Sequence, residues 1–580
     1  MYRMNLQIEV WKQVTQHING IAIGMCVHTL DRVGLLEQLV NTSIPLPVAK
    51  LSQHYRLRPG YCHLVAKLLA AEGLLRRSGD IASGDTHVEI SETGREWFRW
   101  VEAYRSYPRL VASAMNVPSA FLGRAEIDEA YRAVLDQLPS TAEPNHALAS
   151  RVANHIRGPI IAALMYECHR RQLFARFAGK SGHFVPLDVL FPIEKVIEAA
   201  AGILAGQGWM ILKPGEAALT DAGVVAVAMA AQYGYSICYF PTTRCIPDLM
   251  TGGKPFAEPA HEDSAVELST LPYQTVGRQP FAAETNRVPS RHRDADLLLN
   301  STVLAHEEAH VDRALDIQFS GEVFSRQCRE PFLKMARRLF DHDDFANQPA
   351  AVVDCGAGDG TVLMEFYRAI RDETRRGQRL EDFPLLMVAA EYNELARKTC
   401  AQRLAQAGIP HFALFGDIGE PEALMRSLTE KGIAPDSILH VNKSVIHNRS
   451  YYPAGDSSLK VCPPHSTSVF ITPEGDLIPN CDLEQNLLEF FLRWKPFIQK
   501  HGMIAIEAHT VPAEITALHI DHSLVTAMDA SHGFSHQYLI EYDRFIKIAG
   551  LAGWTSQESV KLGGNIAGAT TLSINHFLPA

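Results

Sequence analysis

The segment AVVDCGAGDGTVLMEFYRAI, which starts at Ala351, limits the possible fold more than any other stretch of the chain. Ala351 to Asp354 reads as a short apolar strand ending in an acid. Gly356, Ala357, Gly358, Asp359 and Gly360 follow as a tight turn, and Thr361 opens a helix. Glycines at such a turn take unusual dihedrals and let the backbone approach a ligand closely. The turn is not the GxxxxGK[ST] loop that cradles phosphates. It is not a clean GxGxxG dinucleotide fingerprint either, because position 361 is threonine.

The strands expected next narrow the choice. PLLMVAAEYNELARKTC is an apolar run ending at Glu391, about thirty residues past the glycine turn. An acid at the end of a second strand can accept both ribose hydroxyls of a nucleoside, and a dehydrogenase uses the same position. HFALFGDIGEPEAL places Gly416, Asp417 and Ile418 after a third strand, and SILHVNKSVIH supplies a fourth. A doubly wound sheet binds ligands beyond the carboxyl ends of its strands, so the four signals converge on one crevice.

A chain of 580 residues is too long for one ordinary core, which predicts two to four domains. Within the first 235 residues, VTQHINGIAIGMCVHTLDRVGLLEQL is echoed by VANHIRGPIIAALMYECHRRQLFARF. His17, Gly20 and Leu35 align with His155, Gly158 and Leu173 at one fixed offset of 138. Each copy leads into a helical pattern and a short apolar segment with a turn, with Gly73 and Gly208 as helix terminators. The expectation is two winged-helix-like units. Their helices are poor in lysine and arginine, and the formal net charge is -11, so packing or dimerisation is expected rather than DNA binding.

Residues 236 to 300 read as a lid, wall or connector. HEEAH, with His306, Glu307 and His310, matches the H-E-x-x-H zinc pattern, but no third ligand or protease-like surroundings accompany it. The ten cysteines are scattered without a CxxC pair, as core thiols of a reducing compartment are. No stretch is apolar enough for a transmembrane helix and the start lacks a signal-peptide pattern, so the expected location is cytoplasmic.

Ten of the 25 histidines fall after residue 430. LHVNKSVIHNRSYY carries His440, Asn442, Lys443, His447 and Arg449; MIAIEAHT carries Glu507 and His509. MDASHGFSHQYLIEYDRF carries Asp529, His532, His536 and Gln537, and TTLSINHF closes the chain. Glu507 and His509 alternate on a strand and are expected on one side of it. Histidine with amide or carboxylate ligands from separate loops suits Fe(II) or Mn(II), which could chelate a 1,3-dicarbonyl and acidify its carbon.

Together, DCGAGDG, AAEYN and FGDI resemble the class I S-adenosylmethionine (SAM) methyltransferase fold over about the last 280 residues. The expected architecture is therefore α/β, a Rossmann-like core at 301-580. A winged-helix-like unit at 1-100 and a helical lid with the second unit and a connector at 101-300 precede it. The resemblance implies SAM on Asp354, Gly356, Ala357, Gly358, Glu391, Asp417, Ile418 and Asn442, with Asp417 toward the exocyclic amine. HVNKSVIHNRSYY, EAH and HGFSHQYLIEYD resemble, more narrowly, the C-methyltransferase domains of polyketide synthase loading modules. That resemblance implies a mononuclear iron or manganese held by His509 and Gln537, with His532 as a third ligand or a base. It places His447, His532, Arg449 and Tyr451 at the substrate. It also implies malonyl or methylmalonyl on an acyl carrier protein as acceptor, neighbouring polyketide synthase domains as partners, and no nucleic acid or membrane. No phosphopantetheine-attachment motif is evident, so the carrier is expected from elsewhere. The rival expectations are an O- or N-methyltransferase of a free small molecule and a SAM-sensing winged-helix regulator.

Overall fold

Two long helices cross where glycine removes the side chain from both. The computed structural model describes residues 2–121, 146–191, 194–252, 313–453, 455, 458–563, 566 and 568–580. HEEAH, at 306–310, lies outside them. Helix α1 (Tyr2–Arg32) leads to β1 (Leu46–Pro47), α2 (Pro59–Ala71), the hairpin β2 (Leu75–Asp80) and β3 (Asp85–Ile90), and α3 (Tyr107–Ala120). The second copy runs α4 (His146–Arg170), β4 (Val185–Pro186), α5 (Glu194–Gly206), β5 (Met210–Lys213), β6 (Glu216–Leu219) and α6 (Asp221–Met229). It continues into α7 (Gly234–Ile237) and α8 (Phe240–Thr251). Each copy holds a three-stranded antiparallel sheet, in the orders β1-β3-β2 and β4-β6-β5.

The likeness reaches single bonds. Ser91 caps its helix by accepting from Gly94 N, and its hydroxyl donates to Gly73 O at 2.6 Å. Thr220 accepts from Gly223 N and donates to Gly208 O at 2.7 Å. At the crossing of α1 and α4, a Cβ on Gly20 would lie 2.3 Å from His155 Cα, and one on Gly158 would lie 2.4 Å from His17 O. Only glycine permits that approach.

Past α9 (Arg313–Val323) begins the sheet. Its strands are β7 (Ala351–Cys355), β8 (Leu386–Ala390), β9 (His411–Leu414), β10 (Ile438–Lys443), β13 (Met503–Ala508), β14 (Trp554–Leu562) and β15 (Leu572–Pro579). A separate short ribbon pairs β11 (Phe470–Ile471) with β12 (Leu477–Ile478). The order is β14-β15-β13-β10-β7-β8-β9, with β15 antiparallel to both neighbours and the five strands from β13 to the β9 edge parallel. Inner parallel strands are covered on both faces, which explains their near-continuous apolar runs: all of β7 and most of β8, β10 and β13 are buried. Helix α10 (Thr361–Glu373) packs on one face and α11 (Asn480–Trp494) on the other. This is the doubly wound core expected from the class I resemblance. Helix α12 (Val525–Phe534) joins it to the N-terminal units: its Ala527, Ala530 and Phe534 belong to the same apolar core as α1 and α8.

Among the described residues no single helix is long and apolar enough to cross a membrane. One bent pair, Asp221–Ile237 with Phe240–Thr251, meets that test by composition and is packed among the N-terminal helices.

Candidate active site

Strand ends and their turns build the crevice. Gly356, Gly358 and Gly360 all have positive φ. Gly360 also admits no side chain, since a Cβ would sit 2.6 Å from Cys400 Sγ. Glu391 ties the second strand to this turn: Oε2 accepts from Gly358 N at 2.8 Å and Oε1 from Asn393 N at 2.9 Å. An ionised carboxylate has about four lone-pair sites, which leaves capacity for ribose hydroxyls. Ala357 is buried in the same turn and accepts from Gly360 N. Asp354 is 1% exposed, and among the described residues neither carboxylate oxygen has a hydrogen-bond partner. Burial pushes its pKa up to about 7, against the pull of Lys443 and with the repulsion of Glu391 and Asp359. A buried acid without a partner beside a glycine turn fits the ammonium end of an amino-acid ligand.

At the outer edge, Asp417 is half-buried and its Oδ1 accepts from Gly419 N at 2.7 Å. The Ile418 carbonyl accepts from Trp494 at 2.8 Å, which fixes that loop. Tyr392 and Phe415 lie 5.1 Å apart beside these residues, with Phe415 exposed. An exposed aromatic pair there suits a flat purine. SAM therefore fits this crevice, on Asp354, Glu391, the glycine turn and the Asp417–Ile418 loop.

Asn442 departs from the expectation. Alternation along β10 puts it on the face under α11, fully buried, with its amide on Met503 Sδ at 2.9 Å. The next residue, Lys443, takes the cofactor side instead. It is hydrogen-bonded to Ser320 of α9, and burial lowers its pKa against the pull of Cys328, Asp316, Asp359 and Asp354.

Just past β10, Ser444 has a φ of 57°, in the left-handed region. Val445 then packs over Gly356, and the turn brings His447 to the end of β13. There His447 Nδ1 bonds to Glu507 Oε1. Both side chains are buried, at 5% and 2% exposure. Glu507 also accepts from Ile446 N and Ala508 N, each at 3.0 Å. Burial works to raise the Glu507 pKa, but His447, His509 and the Ala508 N–H outweigh it and hold the carboxyl below its ordinary value. The carboxylate holds His447 by Nδ1, and among the described residues no hydrogen bond engages its Nε2, the geometry a general base needs.

The His532 ring stands 4.9 Å from that of His447, at 70°. His532 Nδ1 lies 2.7 Å from Met528 O and so carries the hydrogen, which leaves its Nε2 bare as well. Burial first, then the charge of His447, push the His532 pKa down to about 3. Aromatic rings from the N-terminal region close this side: Tyr235 and Tyr239 lie 6.5 and 6.1 Å from His532, and Phe319 of α9 lies 5.5 Å from Tyr235.

Two expected substrate contacts are structural. Arg449 is 4% exposed and its guanidinium is spent on Asn486 Oδ1 and Ile446 O, both at 2.9 Å, and Leu483 O at 3.4 Å. It fastens the His447 loop to α11. Tyr451 packs with Tyr538 at 6.4 Å, in an apolar group with Phe470, Ile478 and Leu483.

The iron or manganese site does not fit these side chains. His509 is fully buried; Nε2 meets Ser573 Oγ at 2.7 Å and Nδ1 meets Ile540 O at 3.2 Å, so neither nitrogen is left for a metal. Gln537 gives its amide nitrogen to Ser535 and Tyr239, which orients the side chain without engaging its Oε1, so it is the loss of His509 that breaks the expected ligand set. Among the described residues no three His, Cys, Asp or Glu side chains converge as metal ligands would. Glu507 lies near His509, as expected, and bonds to His447.

A methyltransferase family model, described as the AprA MT2-like domain, matches residues 308–565. The match spans the glycine turn, Glu391, His447, Glu507 and His532.

This chain is a SAM-dependent methyltransferase.

None of the curated proteins matches the methyltransferase. Among solved structures it is similar to the mitomycin 7-O-methyltransferase MmcR, at 14% identity over 75% of this chain and 98% of that one, with a TM-score of 0.38. Human N-acetylserotonin methyltransferase with SAM is similar at 12% identity, over 75% and 99%, with a TM-score of 0.34. The DszA carbon methyltransferase is similar at 10%, over 72% and 88%, with a TM-score of 0.28. All three superpose loosely.

Proposed function

We propose that the methyltransferase methylates the α carbon of a malonyl or methylmalonyl thioester carried by an acyl carrier protein, with His447 as the base. The observation that supports this most is the His447–Glu507 pair, a buried imidazole with a bare Nε2 beside the cofactor crevice. The match of residues 308–565 to the AprA MT2-like family supports it in the same direction.

SAM, when bound, would supply an electrophilic methyl group, its S–CH3 bond breaking with the electron pair left on sulfur and S-adenosylhomocysteine leaving. His447 Nε2 takes the α proton, and the electron pair of that C–H bond becomes the new C–CH3 bond. Glu507 balances the positive charge that forms on His447 and holds the ring in its productive tautomer. His532 stays neutral and offers its bare Nε2 as a hydrogen-bond acceptor beside the imidazolium. Tyr235, Tyr239 and Phe319 wall the pocket from water, which strengthens the Glu507–His447 attraction.

Incubating malonyl-loaded carrier protein with enzyme and SAM, followed by intact-protein mass spectrometry, tests this function. One or two added methyl groups are expected, with no loss of yield in a chelator. An unmodified carrier, together with methylation of a free hydroxyl compound, would move the function to O-methylation by the same base.

A further inference from the structure

The two N-terminal units contact each other reciprocally. Gly20 of the first faces His155 of the second, and Gly158 faces His17. Asn154 donates to Gln16 Oε1 at 2.8 Å, and these two residues are equivalent positions of the repeat, 138 apart. His17 of the first unit meets Trp209 at 5.8 Å and the Tyr233 hydroxyl at 2.7 Å, both from the second. His155 of the second meets Trp97 of the first at 4.9 Å. A patch that pairs with its own equivalent is the geometry of a two-fold symmetric dimer. Here both halves belong to one chain.

Two such units accompany one seven-stranded sheet among the described residues. The second unit nevertheless reaches the active site. Its α7 and α8 region carries Tyr235 and Tyr239 to α12 of the catalytic domain. The Tyr235 hydroxyl bonds to Ser531 Oγ and lies 3.3 Å from His532 Nδ1. The Tyr239 hydroxyl accepts from Gln537 at 3.3 Å. A small cavity lies directly behind both rings, lined by Ile18 and Ile21 of α1, Thr242 and Ile246 of α8, and Ala527 and Ala530 of α12. The catalytic domain alone would leave this side of His532 open.

We propose that the second unit is a built-in partner subunit. It closes the self-complementary face of the first unit within one chain, and it completes the acceptor side of the active site with Tyr235 and Tyr239. The enzyme is then monomeric, and Tyr235 is a positioning residue that acts through Ser531 and His532. The acceptor part of this inference rests on the proposed methyl transfer; the self-pairing part does not.

Two measurements on the full-length chain test it. Light scattering coupled to gel filtration, from low to high micromolar concentration, should give the mass of a single chain throughout. Tyr235→Phe and Tyr239→Phe, each of which keeps the ring and its packing, should raise the acceptor KM roughly tenfold. Affinity for SAM and the pH profile of kcat should stay as in the wild type. A stable dimer, or Phe variants with wild-type acceptor kinetics, would overturn the inference. If the wild type methylates no carrier-bound thioester, the proposed function fails; the KM arm is then read on whichever acceptor is methylated, and the mass arm still decides the self-pairing.

Discussion

In the proposed methyl transfer, His447 acts as the base only while Glu507 holds the imidazole proton on Nδ1. Glu507→Gln preserves the shape of the pair but removes the charge that stabilises the imidazolium. It is expected to lower kcat by about 10²–10⁴-fold, and His447→Ala by a similar factor. SAM affinity, measured by calorimetry, should be unchanged in both, because neither residue contacts the glycine turn. A fall in SAM affinity that accounts for the lost rate would assign the pair to cofactor binding. Asp354 makes the opposite expectation. Its carboxylate is buried with no hydrogen-bond partner among the described residues, and burial raises its pKa to about 7. Asp354→Asn should therefore leave melting temperature unchanged or raise it, while weakening SAM binding by roughly tenfold or more. Weakened stability with intact SAM binding would show that Asp354 serves the fold.

At the scale of elements, the crossing of α1 and α4 brings the two N-terminal units into backbone contact. Gly20→Ala puts a methyl group 2.3 Å from the His155 backbone, so the helices must part. The expected cost is about 1–3 kcal/mol in urea unfolding, and Gly202→Ala, where a Cβ meets nothing, should cost far less. The glycine turn after β7 and the N-terminal repeat were legible because each is a local pattern in the sequence. Sequence reasoning named His447 and Glu507 but not their pairing, which depends on register. His447 and Glu507 are 60 residues apart and meet only because β10 and β13 are parallel neighbours. Asn442 and Lys443 differ by one position, and one position in a strand is the other face of the sheet. Arg449 and Tyr451 follow His447 closely in sequence, but the turn that presents His447 sends both into packing. A buried histidine such as His509 has the same sequence signature whether its nitrogens meet a metal or a serine.

For the whole molecule, buried neutral histidines set the response to acid. Burial lowers His17 and His532 to about 3, and His440 and His509 to about 4. The unfolded chain binds these protons near pH 6.5, and the folded chain only near pH 3 to 4. Their contribution to stability is complete above pH 6.5 and is lost as pH falls toward 4, by about 1.4 kcal/mol per pH unit for each histidine. Asp354 runs the other way, because its folded pKa of about 7 exceeds the ordinary 3.8, so it weakens the fold as pH rises across that interval. Four histidines outweigh one carboxylate, and the midpoint of urea unfolding should drop steeply between pH 6.5 and 4. A flat profile there would mean that these imidazoles are not held neutral. The two units, the sheet and α12 come together at His447, and the central claim is that this one base drives carbon methylation. The direct test is intact-mass analysis of malonyl carrier protein after incubation with SAM and either wild-type enzyme or His447→Ala. Added methyl mass with the wild type and none with the variant is the expected result, and full methylation by His447→Ala would contradict the account.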